Sequence, residues 1–113
     1  MFFALQTSAN LLIIMDKLKE LIAGPVPTLI DFYATWCGPC KAMIPILDEL
    51  KELAGDSVQI FKADVDAPGN RSLVSHFEID SVPTIIIFKN GEAVWRDSGV
   101  THAQTLKGVL ERV

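Results

Sequence analysis

The sequence predicts an α/β protein with a central mixed β-sheet of four to five strands and helices on both of its faces. Two observations support this fold class. Short apolar runs, typical of buried strands, alternate along the chain with amphipathic segments of helical period. The last two runs are separated by Asn90-Gly91, which is a strong signal for a β-hairpin. We therefore expect one edge of the sheet to be antiparallel.

Three apolar runs are rich in β-branched or aromatic residues and are bounded by turn formers, which is typical of strands covered on both faces. They are Val26–Ala34, Val58–Ala63 and Pro83–Phe88. A fourth strand, Glu92–Arg96, is expected after the Asn-Gly turn. The segment Phe2–Gln6 is a candidate for a further strand at the start of the chain.

Helices are expected between these strands. The longest begins at the two cysteines, carries apolar residues at helical spacing and ends at Gly55. A helical pattern also covers Lys17–Ala23, and a short helix is expected over Asn70–Phe77. The last helix is predicted from about His102 or Ala103 to Arg112, with Thr101 as a candidate N-cap.

The bulk composition favours a single domain over residues 1–113. The chain has 50% hydrophobic residues, enough for one core, and a formal net charge of -4. A mildly acidic chain offers no electrostatic footprint for nucleic acid. We expect a cytoplasmic monomer that binds neither nucleic acid nor membranes.

Residues 1–14 leave three interpretations open. They contain the candidate strand Phe2–Gln6, or they are an atypical extension upstream of a native start at Met15. An export signal or membrane anchor is the third possibility. It is disfavoured because polar residues interrupt the apolar run and no Lys or Arg precedes Lys17. The run is also too short to span a membrane.

The chain contains only two cysteines, Cys37 and Cys40, separated by Gly38-Pro39. Two cysteines cannot form the disulfide framework of a secreted fold. A zinc site needs four ligands, and His76 and His102 lack the spacing that such sites use. We therefore expect no metal site and interpret the two cysteines as a redox-active pair.

The position of the pair predicts unequal roles for its members. Cys37 follows a strand and should cap the next helix, where unpaired N–H groups and the helix dipole favour the thiolate. Gly38 and Pro39 suit this cap, since proline is well tolerated in a first helical turn. Cys40 lies one turn further and is expected to be less exposed. Cys37 is thus predicted to be the nucleophile, and Cys40 the thiol that resolves the mixed disulfide.

Cys40 must lose its proton as it attacks, and Asp31 is the candidate base. It is an acid in an otherwise apolar strand, which predicts a buried carboxylate with a raised pKa. The alternative is a solvent-facing residue on an edge. Lys62, in the next strand, could pair with Asp31 or could simply be a solvated strand end. Trp36, beside the nucleophile, suits an exposed docking surface for substrates.

The segment Trp36–Lys41 resembles the active-site motif of the thioredoxin family. The resemblance extends from about Pro25 to the C-terminus and includes further matching segments in the same order. These are Asp31–Ala34, Pro45, Lys62–Asp66, Val82–Thr84, Phe88–Gly91 and Gly99. Three features depart from the family pattern: Tyr33, Asp80 and the region before Pro25.

The resemblance implies a thioredoxin fold in which Cys37 is the nucleophile, Cys40 resolves and Asp31 assists proton transfer. It implies a cis peptide bond before Pro83. The implied substrate-binding residues are Trp36, Gly38, Pro39, Val82, Pro83, Gly99 and Val100. No cofactor is implied beyond the Cys37–Cys40 disulfide.

The partners implied by the resemblance are disulfide-containing proteins and a thioredoxin reductase. Gly38-Pro39 resembles the reducing members of the family, so we expect reduction of protein disulfides. Two alternatives remain at this stage. One is a binding module that keeps the fold without turnover, and the other is an exported member acting on envelope proteins.

Overall fold

The central feature of the fold is a four-stranded mixed sheet, seen in a computed structural model that describes residues 16–113. Its strands are β1 (Thr28–Tyr33), β2 (Gln59–Asp64), β3 (Thr84–Lys89) and β4 (Glu92–Ser98). The spatial order is β2-β1-β3-β4. β1 runs parallel to β2 and antiparallel to β3, and β3 runs antiparallel to β4. The predicted mixed sheet with an antiparallel edge is therefore confirmed.

Helices cover both faces of the sheet. Residues 16–22 form α1, and α2 (Gly38–Ala54), α3 (Arg71–His76) and α4 (Ala103–Arg112) follow along the chain. Buried side chains of α2 and α4 pack with one set of side chains from β1 and β3. Buried side chains of α1 and α3 pack with the alternate set. This two-sided core follows from the period of two along a strand, which sends successive side chains to opposite faces.

The central strands β1 and β3 are buried almost throughout, as their apolar runs predict. The same expectation for the run Val58–Ala63 holds at its two ends, which are buried, and was wrong for residues 59–62. Within β2 only Ala63 is buried, and Phe61 is 40% exposed. β2 lies at an edge of the described sheet with β1 as its only paired strand there, so helices cover it less completely.

Local turn chemistry accounts for the element boundaries. Gly55 caps α2 with φ 56°, and Asn90 and Gly91 turn the β3–β4 hairpin with φ 53° and 84°. Glycine and asparagine are the residues that adopt this left-handed region most readily. The predicted N-cap of α4 was wrong: His102 occupies that position, and the Thr101 hydroxyl instead lies 3.5 Å from Asp97 Oδ2.

The candidate strand Phe2–Gln6 and the possible start at Met15 lie outside the described residues. Within residues 16–113, no helix is both long enough and apolar enough to cross a membrane. The cysteine pair lies after the end of β1 at Tyr33 and extends into the first turn of α2, which begins at Gly38.

Candidate active site

Cys37 is the N-cap of α2, as predicted. Its backbone is extended, with φ -89° and ψ 116°, and its Sγ accepts a hydrogen bond from the Cys40 backbone N–H at 3.1 Å. Pro39 lies in the first turn of the helix. In this arrangement the Cα atoms of the two cysteines lie 5.3 Å apart, and a disulfide bond joins their sulfur atoms. An N–H donated to Sγ stabilises the thiolate that forms when this disulfide is reduced.

The predicted difference in exposure between the cysteines was wrong. Each is only 4% exposed, because their joined side chains pack with Ala34 and against Tyr33 and Val82. They differ in what surrounds them. Cys37 Sγ lies 3.7 Å from the Val82 carbonyl oxygen, whereas Cys40 lines a cavity that it shares with Asp31.

The cavity that Cys40 lines, called the Asp31 cavity below, has a volume of about 290 Å³. Asp31 and Cys40 both line it, which brings the predicted base and the predicted resolving cysteine to the same space. Asp31 is 2% exposed, and its Oδ1 has no hydrogen-bond partner among the described residues. The full lining is Asp31, Tyr33, Ala34, Thr35, Cys40, Lys41, Ile44 and Lys62.

Burial raises the pKa of Asp31 from 3.8 to about 6, while the positive charge of Lys62 acts in the opposite direction. Lys62 is the register partner of Asp31 across the parallel β1–β2 pair, and its side chain is exposed. It makes no ion pair with Asp31, since the only ion pair among residues 16–113 joins Lys107 and Glu111. Asp31 is therefore a buried carboxyl group that is mainly ionised at neutral pH yet readily protonated.

On the Val82 side of the disulfide lies a second depression, the Trp36 groove, with a volume of about 280 Å³. Trp36 is 71% exposed, as predicted, and its indole N–H donates a hydrogen bond to Asp66 Oδ2 at 2.8 Å. An exposed aromatic ring held by a hydrogen bond suits a docking surface. The lining residues are Trp36, Val65, Asp66, Val74, Ile79, Asp80, Ser81 and Val82.

The remaining predicted substrate-binding residues lie in the loops around β3 and β4 and at the start of α2. The Val82–Pro83 peptide bond is cis, which confirms that expectation. The Gly99 N–H donates a hydrogen bond to the Pro83 carbonyl at 2.8 Å and so joins the start of β3 to the end of β4. Val100 follows and is 42% exposed. Gly38 and Pro39 are also exposed, at the start of α2.

Sequence reasoning gave no role to three residues that build the groove. Asp66 anchors Trp36 across 30 residues of chain, and Asp80 contributes a second carboxylate. The Thr84 hydroxyl donates to the Ser81 carbonyl at 2.7 Å and shapes the loop before β3. A local motif carries no signal for such contacts, although Asp66 and Thr84 stand in family-like segments and Asp80 is one of the departures from the family pattern.

The arrangement supports thiol–disulfide exchange. It provides a capped sulfur beside a groove and a buried acid beside the second sulfur. No group of three or more His, Cys, Asp or Glu residues within the described chain could hold a metal ion.

Sequence comparison places these features among known proteins. The profile of the Thioredoxin family matches residues 12–112. Thioredoxin Y, chloroplastic, from Oryza sativa subsp. japonica is 46% identical over 96 residues, which are 85% of this chain. This chain spans 55% of the length of that rice protein. Thioredoxin from Mycolicibacterium smegmatis is 38% identical over 95 residues, covering 83% of this chain and 85% of that protein.

Structure comparison agrees. The crystal structure of oxidized mitochondrial thioredoxin 3 from Saccharomyces cerevisiae matches with a TM-score of 0.75 and 31% identity. The match covers 88% of this chain and 90% of the yeast chain. The thioredoxin from Malassezia sympodialis matches with a TM-score of 0.74 and 33% identity, over 86% of this chain and 85% of that one.

Proposed function

Because the chain belongs to the thioredoxin family and is a thiol–disulfide oxidoreductase, we propose that it works as a reductant of protein disulfides. The observation that supports this proposal most strongly is the geometry of the cysteine pair. Cys37 caps α2 and receives the Cys40 N–H, while Cys40 shares a cavity with the buried Asp31. The surroundings of Cys37 suit attack on a substrate disulfide, and those of Cys40 suit the later resolution of the mixed disulfide.

In the first step, the Cys37 thiolate attacks one sulfur of a substrate disulfide. A Cys37–substrate S–S bond forms, the substrate S–S bond breaks, and the other substrate sulfur leaves as a thiolate that takes a proton from solvent. The Cys40 N–H and the N-terminus of α2 stabilise the attacking thiolate. The Trp36 groove binds the chain that flanks the attacked cysteine.

In the second step, Cys40 gives its proton to the Asp31 carboxylate and attacks Cys37 Sγ. The Cys37–Cys40 disulfide forms and the second substrate sulfur leaves as a thiolate. Two electrons thus pass from the dithiol to the substrate. A pKa of about 6 suits Asp31 to this task, since the carboxylate is available at neutral pH and can release its proton to solvent afterwards.

The proposal also covers the electron source and the location of the protein. A thioredoxin reductase, fed by NADPH or ferredoxin, is the donor that the family resemblance suggests. A cytoplasmic location stays a prediction from the composition of residues 1–15, and the relatives in chloroplasts and mitochondria make it the first point to check. Fractionation of the source cells and N-terminal sequencing of the native protein would decide the location.

Reduction of insulin by dithiothreitol tests the proposed function. Catalytic amounts of the protein should accelerate precipitation of the insulin B chain, and Cys37→Ser should not. Asp56→Asn, an exposed change in the turn after α2, should behave as the parent protein. No acceleration by the parent protein would refute the proposal. Equilibration with glutathione gives the reduction potential, and a potential well above that of glutathione would indicate an oxidant instead.

A further inference from the structure

The Trp36 groove combines an apolar floor with two carboxylates and no cation. Most of its lining is apolar, and its only charged residues are Asp66 and Asp80, whose side chains are both exposed. When the charged residues of a depression beside a catalytic disulfide all have one sign, the depression discriminates between charged partners. The question is which partner these two carboxylates fit.

Asp66 has a fixed place in this groove. Its Oδ2 accepts the Trp36 indole N–H, and its backbone N–H donates to Asp64 Oδ1 at 2.9 Å. Asp80 has neither an ion-pair nor a hydrogen-bond partner within residues 16–113. It is therefore the carboxylate with free hydrogen-bonding capacity.

The loop that carries Asp80 is anchored at both ends. The Arg96 guanidinium donates to the Phe77 carbonyl and, at 3.0 Å, to the Glu78 carbonyl. Thr84 fixes the other end through the Ser81 carbonyl. Arg96 is committed to these backbone oxygens and is not among the groove-lining residues. Asp80 is thus presented on a preorganised backbone, which lowers the entropic cost of binding.

The groove adjoins the reacting sulfur. Val82 lines the groove, and its carbonyl oxygen lies 3.7 Å from Cys37 Sγ, while Trp36 directly precedes Cys37. A substrate whose disulfide reaches Cys37 must therefore place its neighbouring residues over the groove. The side chains within a few residues of the attacked cysteine meet Trp36, Asp66 and Asp80.

We propose that the Trp36 groove selects disulfide substrates that carry a Lys or Arg within a few residues of the attacked cysteine, with Asp80 as the main specificity-determining residue. This inference rests on the proposed function and adds a substrate class to it. A cation at this position gains two carboxylate neighbours, whereas an acidic side chain is repelled by both. The pairing is solvent-exposed, so the preference should be modest and should weaken with salt.

The test uses two disulfide-linked peptide dimers that are identical except for Lys or Glu two residues from the cysteine on each side. Reduction of each peptide by the reduced protein gives a kcat/KM. Since a nearby Lys accelerates attack by any thiolate, each value is divided by the rate with 2-mercaptoethanol. The normalised preference for the Lys peptide should be about three- to fivefold at low ionic strength. It should fall towards one at 1 M salt, where charges are screened within about 3 Å.

Three variants assign this preference to a residue. Asp80→Asn should remove most of it, and Asp80→Lys should reverse it. Asp56→Asn makes the same change of charge outside the groove and should keep it. The ratio of two peptides measured on one protein sample does not depend on the folded fraction, so a destabilised variant remains informative.

Each outcome separates the inference from the function on which it rests. If insulin is reduced but the parent protein treats both peptides alike, the inference fails and the function stands. A preference that persists in both Asp80→Asn and Asp80→Lys also overturns it. If neither insulin nor either peptide is reduced, the proposed function itself fails.

Discussion

The Asp31 cavity, which Cys40 lines, and the Trp36 groove, which Val82 lines beside Cys37, differ in the carboxylates that they contain. The cavity contains a single buried acid without a hydrogen-bond partner for its Oδ1, and the exposed Lys41 and Lys62 contribute to its lining. The groove contains two exposed acids, one of them bonded to an exposed indole. Burial makes the first carboxylate suitable for proton transfer, whereas exposure makes the others suitable for recognition.

The largest expected effect on turnover comes from replacing one cysteine of the pair with serine. Cys40→Ser should allow attack by Cys37 on an insulin disulfide but no resolution, so a Cys37–insulin mixed disulfide should accumulate. Turnover should fall to the uncatalysed rate. Mass spectrometry of the non-reduced sample would detect the adduct and locate it. Cys37→Ser should give no adduct, and an adduct on Cys40 of that variant would contradict the assigned roles.

The next largest effect is on the free energy of unfolding, which ionisation of the buried Asp31 carboxyl lowers. The folded pKa of Asp31, about 6, exceeds its ordinary 3.8, so between these values the folded protein binds more protons than the unfolded chain. Stability from this group is thus lost as pH rises through that window. The rise of this pKa from 3.8 to about 6 corresponds to about 3 kcal/mol in the free energy of unfolding.

Asp31→Asn should therefore raise the free energy of unfolding of the oxidised protein at pH 7.5 by up to about 3 kcal/mol. The gain should largely vanish at pH 3.5, where Asp31 is protonated in the folded state. Urea unfolding of the parent protein and of Asp31→Asn at both pH values measures this gain. The other carboxylates are the same in both proteins, so their contributions cancel when the two free energies are subtracted. A gain that is the same at both pH values would show that ionisation of Asp31 is not its cause.

Removal of the exposed indole tests the groove. Trp36→Ala should lower kcat/KM for insulin by roughly tenfold, because an exposed Trp at a docking surface contributes on the order of 1–2 kcal/mol to binding. Val94→Ala, which trims an exposed apolar side chain on β4, is the matched control and should leave the rate unchanged. Equal rates for Trp36→Ala and the parent protein would remove Trp36 from substrate binding.

The smallest expected effect belongs to Lys62. Since its charge lowers the pKa of Asp31, Lys62→Gln should move that pKa upwards and slow resolution at pH 6.5 more than at pH 8. Lys19→Gln, an exposed change on α1, is the control. An NMR titration of the Asp31 carboxyl in both variants gives the pKa directly. A downward or absent shift in Lys62→Gln would contradict the electrostatic role.

Sequence alone located the parts of the site that local patterns encode. The run Val26–Ala34 predicted β1, observed as Thr28–Tyr33, because continuous apolar and β-branched residues specify a strand covered on both faces. Asp31 was identifiable as the one charged residue in that run. The N-cap at Cys37 followed from its position between a strand and a Gly-Pro helix start.

Features set by distant parts of the chain could not be predicted. The low exposure of Cys37 depends on packing near Val82, 45 residues away, and on the bond to Cys40. The exposure of β2 follows from strand order and not from its own composition, since its apolar residues resemble those of a central strand. The Trp36–Asp66 hydrogen bond likewise has no local signature.

The Asp31 cavity beside Cys40 and the Trp36 groove beside Cys37 are assigned to two different steps, and single-turnover reduction of a fluorescent disulfide peptide by Asp31→Asn tests this assignment. We expect formation of the Cys37 mixed disulfide to keep its parental rate. Its resolution by Cys40 should slow by at least about tenfold and lose the dependence on an ionisation near pH 6. Equal slowing of both steps, or parental rates for both, would contradict this assignment.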